Sequence, residues 1–318
     1  MHSFPLSRIA LRRVSSMDFE IVCRDLQFPE GPVAMPDGSI LLVETRRQTL
    51  SRVAPDGELS IIAHLGGGPN GAAIGPGGGA YVCNNGGATW VMHDGSYVPH
   101  GPASDYVSGL IQYVDIASGA CHTLYDSCDG KPLLGPNDIV FDDTGSFWFT
   151  DFGIMPPGSK MLGALCYARA DGTMIRRVVD GLLSPNGVGL SPDGQTVYVA
   201  DTFSGRLYAY QIVGPGEVEP VGYPFLPTRI IGGAPSRFLF DSLAVQSDGG
   251  VAVATIGHPG ITIHYDERTE FIGVPGDELI TNICFGGPEQ NVAWITGSGT
   301  GVLLKTTWPN RGLKLAYV

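Results

Sequence analysis

Six short stretches of the sequence place an acid or an asparagine just ahead of a brief apolar run. They are Glu30 in EGPVAMPDG, Asn70 in NGAAIGPGG, Asn137 in NDIVFDDTG, Asn186 in NGVGLSPDG, Asp241 in DSLAVQSDG and Asn282 in NICFGGPEQ. In the first five a glycine falls eight residues after the polar residue, and Gln290 stands there in the sixth. Carboxylate and amide oxygens gathered at one point are the ligand set of a hard divalent cation, and the two charges of Glu30 and Asp241 would balance one such ion. Calcium suits these oxygens best; magnesium, manganese and zinc also accept them. The same residue types satisfy backbone groups at turns, which is the simpler reading for Asn70 and Asn282. The choice between ligand and turn residue depends on whether folding gathers Glu30, Asn186 and Asp241.

Each polar residue opens a strand, turn, strand signal, because a second apolar run follows every turn: ILLVET, AYVCNNG, SFWFTD, TVYVAD, VAVAT and VAWIT. The spacings between successive polar residues are 40, 67, 49, 55 and 41, as expected of four-stranded units with insertions of unequal length. Six such units predict an all-β, six-bladed β-propeller in which the first strand of each blade lines a central channel. The six polar residues would then ring one end of that channel. The segment FEIVCRDL ahead of Glu30 is expected to supply the outer strand of the last blade and close the circle.

The rest of the composition agrees. Apolar runs are short, glycine is abundant at 46 residues, and no long amphipathic period appears, so helix should be minor. Residues 17–318 read as a single domain, with 1–16 an extension; its Arg8, Arg12 and Arg13 flank no continuous signal-peptide core, and a transit-like segment is the alternative. A net charge of −12 argues against a nucleic-acid partner, and no apolar stretch is long enough to span a membrane. The six cysteines form no Cys-x-x-Cys pair and read as reduced thiols of a cytoplasmic protein. Two long insertions, residues 86–109 and 213–238, are expected at an open face as lids or rims. Nucleophile schemes find little support, since there is no Gly-x-Ser-x-Gly elbow and Cys128 lacks a local activating motif.

The stretches FPEGPVAMPDG, GPNDIVFDDTGSFWFTDFG, SPNGVGLSPDGQTVYVADT, DSLAV and TNICFGG resemble, in this order, the motifs of the senescence-marker-protein, gluconolactonase and regucalcin family of propeller lactonases. The resemblance runs from about Phe28 to Gly287. It implies that Glu30, Asn186 and Asp241 bind a catalytic divalent metal, that Asn137 is a fourth ligand or a substrate contact, and that Asp241 is the general base of lactone hydrolysis. Asn70, Asn84 and His258 are further candidates for substrate contact. The sequence departs from some sugar-lactone members in reading LLGPND where an arginine would precede Asn137, and Asp241-Ser242 replaces the usual Asp-Gly. Trp90 and Tyr97 in the first insertion favour a less polar lactone, unless Trp90 serves packing. Two other functions fit the same residues: an organophosphate hydrolase of the diisopropyl-fluorophosphatase type, and a non-catalytic metal-binding propeller.

Overall fold

The computed structural model describes residues 12–13, 17–219, 229–234 and 238–318. The remainder of the 1–16 extension and parts of the 213–238 insertion (220–228 and 235–237) lie outside the described residues. Six antiparallel four-stranded sheets follow one another along the chain and form the blades of a propeller. Their inner strands are Pro29–Ala34, Pro69–Ile74, Pro136–Phe141, Pro185–Leu190, Leu239–Val245 and Ile280–Gly286, here assigned to blades I to VI. The only helical piece among the described residues is the 3₁₀ turn Pro76–Gly78.

The inner strands are rich in glycine, alanine and valine because neighbouring blades crowd them. Gly31 has φ of +51°, and a Cβ there would lie 2.5 Å from the amide nitrogen of Ala72 in the next blade. The second and third strands carry the large apolar side chains that fill the spaces between blades. Phe147, Phe149, Tyr81 and Phe141 form one such cluster between blades II and III, with ring centroids 4.9 to 5.9 Å apart. Burial of each ring contributes about 1.5–3 kcal/mol.

Closure follows the expectation from FEIVCRDL. Glu20–Cys23 pairs antiparallel with Val302–Thr307, placing Glu20 opposite Lys305 and Ile21 opposite Leu304 as the outer strand of blade VI. Ahead of it, Arg12–Arg13 adds a short parallel fifth strand to blade V. The far end of the channel is crossed by the C-terminal segment, where Leu313 N–H donates to Val245 O at 2.8 Å and Tyr317 packs edge-on against Phe141. Leu313, Leu315 and Val318 thereby form the floor of a channel cavity of about 520 Å³ whose walls also include Asp138 and Asn282.

Candidate active site

Every inner strand is out of register with its neighbour where the polar residue stands. The irregularities fall between Glu30 and Val33, Pro69 and Ala72, Pro136 and Ile139, Pro185 and Val188, Phe240 and Leu243, and Ile280 and Asn282. A bulge at this point turns a side chain out of the regular alternation. The repetition of the device in all six blades brings the polar residues to one mouth of the channel.

A second repeated device holds the bulge from behind in blades I to IV. Glu44, Asn84 and Asp151 each stand 14 residues after a ring residue, and Asp201 stands 15 after Asn186. Each closes the second strand of its blade and accepts the amide hydrogens just ahead of its own inner strand. Glu44 takes Gln27 N–H at 2.8 Å, Asn84 takes Gly68 N–H at 2.8 Å, and Asp201 takes Ser184 N–H at 2.8 Å. Asp151 takes Leu134 N–H at 3.0 Å and Gly135 N–H at 2.7 Å, and is paired with Arg177 at 3.1 Å. Buried amides that would otherwise lack acceptors are thus satisfied by side chains, and the polypeptide arrives at Glu30, Asn70, Asn137 and Asn186 in a fixed path. Phe28, two residues before Glu30, has φ of +58°; such a conformation costs a bulky residue about 1–3 kcal/mol.

Within the ring, Glu30 accepts Asn282 Nδ2–H at 3.1 Å and its neighbour Gly31 N–H at 3.3 Å. Asn186 donates from Nδ2 to Thr202 Oγ1 at 3.1 Å, and its Oδ1 lies 3.4 Å from the Ser242 hydroxyl. Asn70 donates to the backbone oxygen of Asn137 at 3.4 Å. The side-chain oxygen of Asn137 is buried and has no hydrogen-bond partner.

The charges are out of balance. Burial raises the carboxyl of Asp241 well above the ordinary aspartate range, with the fields of Glu30 and Asp138 adding to the effect and a hydrogen bond from Asn186 opposing it. Burial also raises Glu30, against hydrogen bonds from Thr281 and Asn282, with Asp138 adding to the rise. Asp138 is pushed up to about 7 by burial, despite accepting Ile139 N–H at 2.9 Å and Val188 N–H at 3.2 Å. No lysine, arginine or histidine pairs with any of the three among the described residues.

Asp138 is the site residue that the motif reading passed over. Its signal was positional: the residue after the ring position is glycine in blades I, II and IV, and only blade III has an acid there. Three buried carboxylates without a counter-charge, beside an amide oxygen without a donor, fit a bound cation on both counts. Among the described residues no three His, Cys, Asp or Glu side chains cluster closely enough to hold an ion by themselves, so asparagine oxygens would complete any such set.

The other candidates have different surroundings. Asn84 uses its whole amide on the protein: Oδ1 accepts Gly68 and Gly86 N–H, and Nδ2 donates to Gly66 O and Gln112 Oε1. It therefore braces the loop before Asn70. His258 is stacked between Phe238 and Phe271, with ring centroids 4.6 and 4.7 Å away. The first insertion forms a hairpin, Ala88–His93 with Ser96–Pro102, at the same mouth as the ring. It leans from blade II towards blades I and VI: Trp90 packs on Phe28 at 4.8 Å, Arg46 stacks over Tyr97, and Tyr97 N–H donates to Gly299 O at 3.1 Å.

The fold and site together define a six-bladed propeller with an acidic and amide ring at one mouth of its channel. Residues 28–299 match the SMP-30/gluconolactonase/LRE-like region, and the chain belongs to that family. A gluconolactonase of Zymomonas mobilis is 26% identical over 321 residues, an alignment spanning 92% of this chain and 82% of that one. A gluconolactonase structure from Xanthomonas campestris superposes with a TM-score of 0.72 at 21% identity, covering 93% of this chain and 91% of the other. The calcium-binding protein regucalcin from Agrobacterium tumefaciens gives a TM-score of 0.69 at 15% identity, covering 96% and 99%. At these identities the two structures speak to the fold alone.

Proposed function

We propose that this protein is a divalent-metal-dependent lactonase whose site is the ring of Glu30, Asn137, Asn186 and Asp241. The observation that carries the reading is the buried, unpartnered oxygen of Asn137 beside carboxylates that lack a counter-charge. Membership of a family with gluconolactonase relatives supports the choice of a lactone as substrate. Calcium is the proposed ion on the strength of the all-oxygen donor set, and the calcium-binding description of the regucalcin structure agrees. The negative charge of the chain favours a small neutral substrate over nucleic acid, and the free state of its six cysteines supports a cytoplasmic location. No helix among the described residues is long and apolar enough to cross a membrane.

Glu30, Asn186 and Asp241 would hold the ion, with Asn137 as a fourth ligand or a contact to the substrate carbonyl. When bound, the ion supplies polarisation of a carbonyl oxygen and acidification of water. The remaining chemistry belongs to the protein. Asp241, ionised when a cation offsets the fields of Glu30 and Asp138, serves as the base that takes a proton from the attacking water. The water oxygen bonds to the lactone carbonyl carbon, the ring C–O bond breaks, and the departing alkoxide takes up a proton, leaving a hydroxy acid. The Thr202 hydrogen bond fixes the amide plane of Asn186, and Asp138 anchors blade III to Val188 of blade IV.

A panel of lactones and a phosphotriester, assayed in chelator and after addition of calcium, tests the reading. Lactone opening that is lost in chelator and restored by calcium is expected. Turnover of the phosphotriester alone would assign the site to organophosphate hydrolysis, and no turnover of either would leave a binding protein.

A further inference from the structure

The mouth has an apolar side that the ring chemistry does not use. In each blade the inner strand starts at the ring, so the turn after the second strand and the connection into the inner strand both lie at this mouth. On blades III and IV these segments expose Met155, Met161, Leu162, Leu183 and Phe203, each 38–49% accessible. Isolated exposed apolar residues are ordinary, but several on neighbouring connections at the mouth of a site point to a surface that a ligand covers.

Two of the rim's aromatic groups are fixed to the ring itself. Phe152 N–H donates to Gly135 O at 2.8 Å, two residues ahead of Asn137. Phe203 N–H donates to the Ser184 hydroxyl at 2.7 Å, two residues ahead of Asn186, and follows Thr202, which holds the Asn186 amide. The two rings meet edge to face at 5.8 Å and so bridge blades III and IV beside Asn137 and Asn186. The nearby cation is engaged by the protein: Lys160 Nζ donates to Phe152 O at 2.6 Å and lies 4.4 Å from the Phe152 ring. A rim built for a polyhydroxylated ring would carry side chains that pair with its hydroxyls, because unpaired polar groups are costly to bury. Apart from Ser159 and Lys160, this rim offers hydrocarbon and aromatic surface instead.

We infer that the rim of Phe152, Phe203, Leu183 and the Met155 to Leu162 turn binds the apolar substituent of the substrate, so that the preferred lactone carries an alkyl or aryl group rather than a sugar's hydroxyls. This rests on the lactonase reading above and names its substrate class. The rim holds the substituent while the lactone carbonyl faces Asn137 and Asp241.

The test is a series of γ-lactones from γ-butyrolactone to γ-nonalactone, with D-glucono-δ-lactone alongside, assayed on the full chain with calcium. kcat/KM should rise about two- to fourfold per added methylene, or at least about thirtyfold across the series, with the gain expressed mainly in KM. Phe203→Ser, at an exposed position, should compress the ratio of γ-nonalactone to γ-butyrolactone about tenfold or more; Leu183→Ser provides the same test at a second position. A flat series, with γ-butyrolactone and the sugar lactone both opened, overturns the rim assignment and leaves the lactonase reading standing. Failure to open any lactone removes both. Loss of a dimer by light scattering in these variants, without loss of chain-length dependence, would assign the rim to a second copy of the chain and overturn the proposal.

Discussion

Replacing Asp138 by asparagine in metal-free protein should change the pH dependence of stability in a direction fixed by the site. The folded protein holds the Asp138 proton up to about 7, whereas an ordinary aspartate loses it near 3.8. Between those values the folded state binds more protons than the unfolded chain, so stability conferred by the neutral group is present at low pH and declines as pH rises through the interval. About three pH units at about 1.4 kcal/mol each give a loss of about 4 kcal/mol by pH 8. Asparagine has no charge to desolvate, but its NH₂ cannot accept the Val188 N–H that one carboxyl oxygen now takes, which costs about 1–3 kcal/mol at every pH. Asp138→Asn should therefore be less stable than wild type at pH 4.5 and more stable at pH 8, with the curves crossing between. Urea unfolding in chelator across this range measures the difference, and loss of the Asp138 charge also relieves the field that raises Glu30 and Asp241, which adds to the variant's advantage as pH rises. Parallel curves, or a wild type that gains on the variant as pH rises, would refute the reasoning that burial keeps this carboxyl neutral.

Three further outcomes follow from named contacts. Asp241→Asn keeps an oxygen ligand but loses the base, so at saturating calcium its turnover should stay about 10²–10⁴-fold below wild type; near-complete rescue in a metal titration would leave Asp241 only a ligand. Asp151→Asn deprives Arg177 and the Leu134 and Gly135 amides of their carboxylate, and should cost about 3 kcal/mol or more in urea unfolding while weakening calcium binding measured by calorimetry. Gly187→Ala puts a Cβ 2.8 Å from the backbone oxygen of Asp241, and a loss of about 1–3 kcal/mol, read by thermal unfolding, is expected from the overpacking.

The architecture was legible because the repeat put Glu30, Asn70, Asn137, Asn186, Asp241 and Asn282 at one position in six units, and the closing strand Glu20–Cys23 stood where the missing outer strand had to come from. The insertion 86–109 reads only as a lid or rim by its length, although the Asp94-Gly95 pair between two short runs carries the signal of its hairpin; both residues have the positive φ of a tight hairpin turn. Other features had no comparable signal. Asp151 and Asp201 act on backbone N–H groups, which every residue carries, so only their recurrence 14 or 15 residues after a ring residue could have revealed them. Asn84 has the residue type of a ligand, but its orientation is set by Gly66, Gly68 and Gln112, which only tertiary packing brings together. The stacking of His258 between two phenylalanines and the course of Leu313–Val318 across the channel floor likewise depend on contacts between distant parts of the sequence.

The central claim is that one divalent ion sits in the ring, and anomalous diffraction from crystals soaked in manganese, with calcium as competitor, tests it most directly. A single peak among the side-chain oxygens of Glu30, Asn137, Asn186 and Asp241, displaced by calcium and absent in Glu30→Gln, is the expected result. A protein that opens lactones with no peak at the ring, or with its ion bound elsewhere, would contradict it.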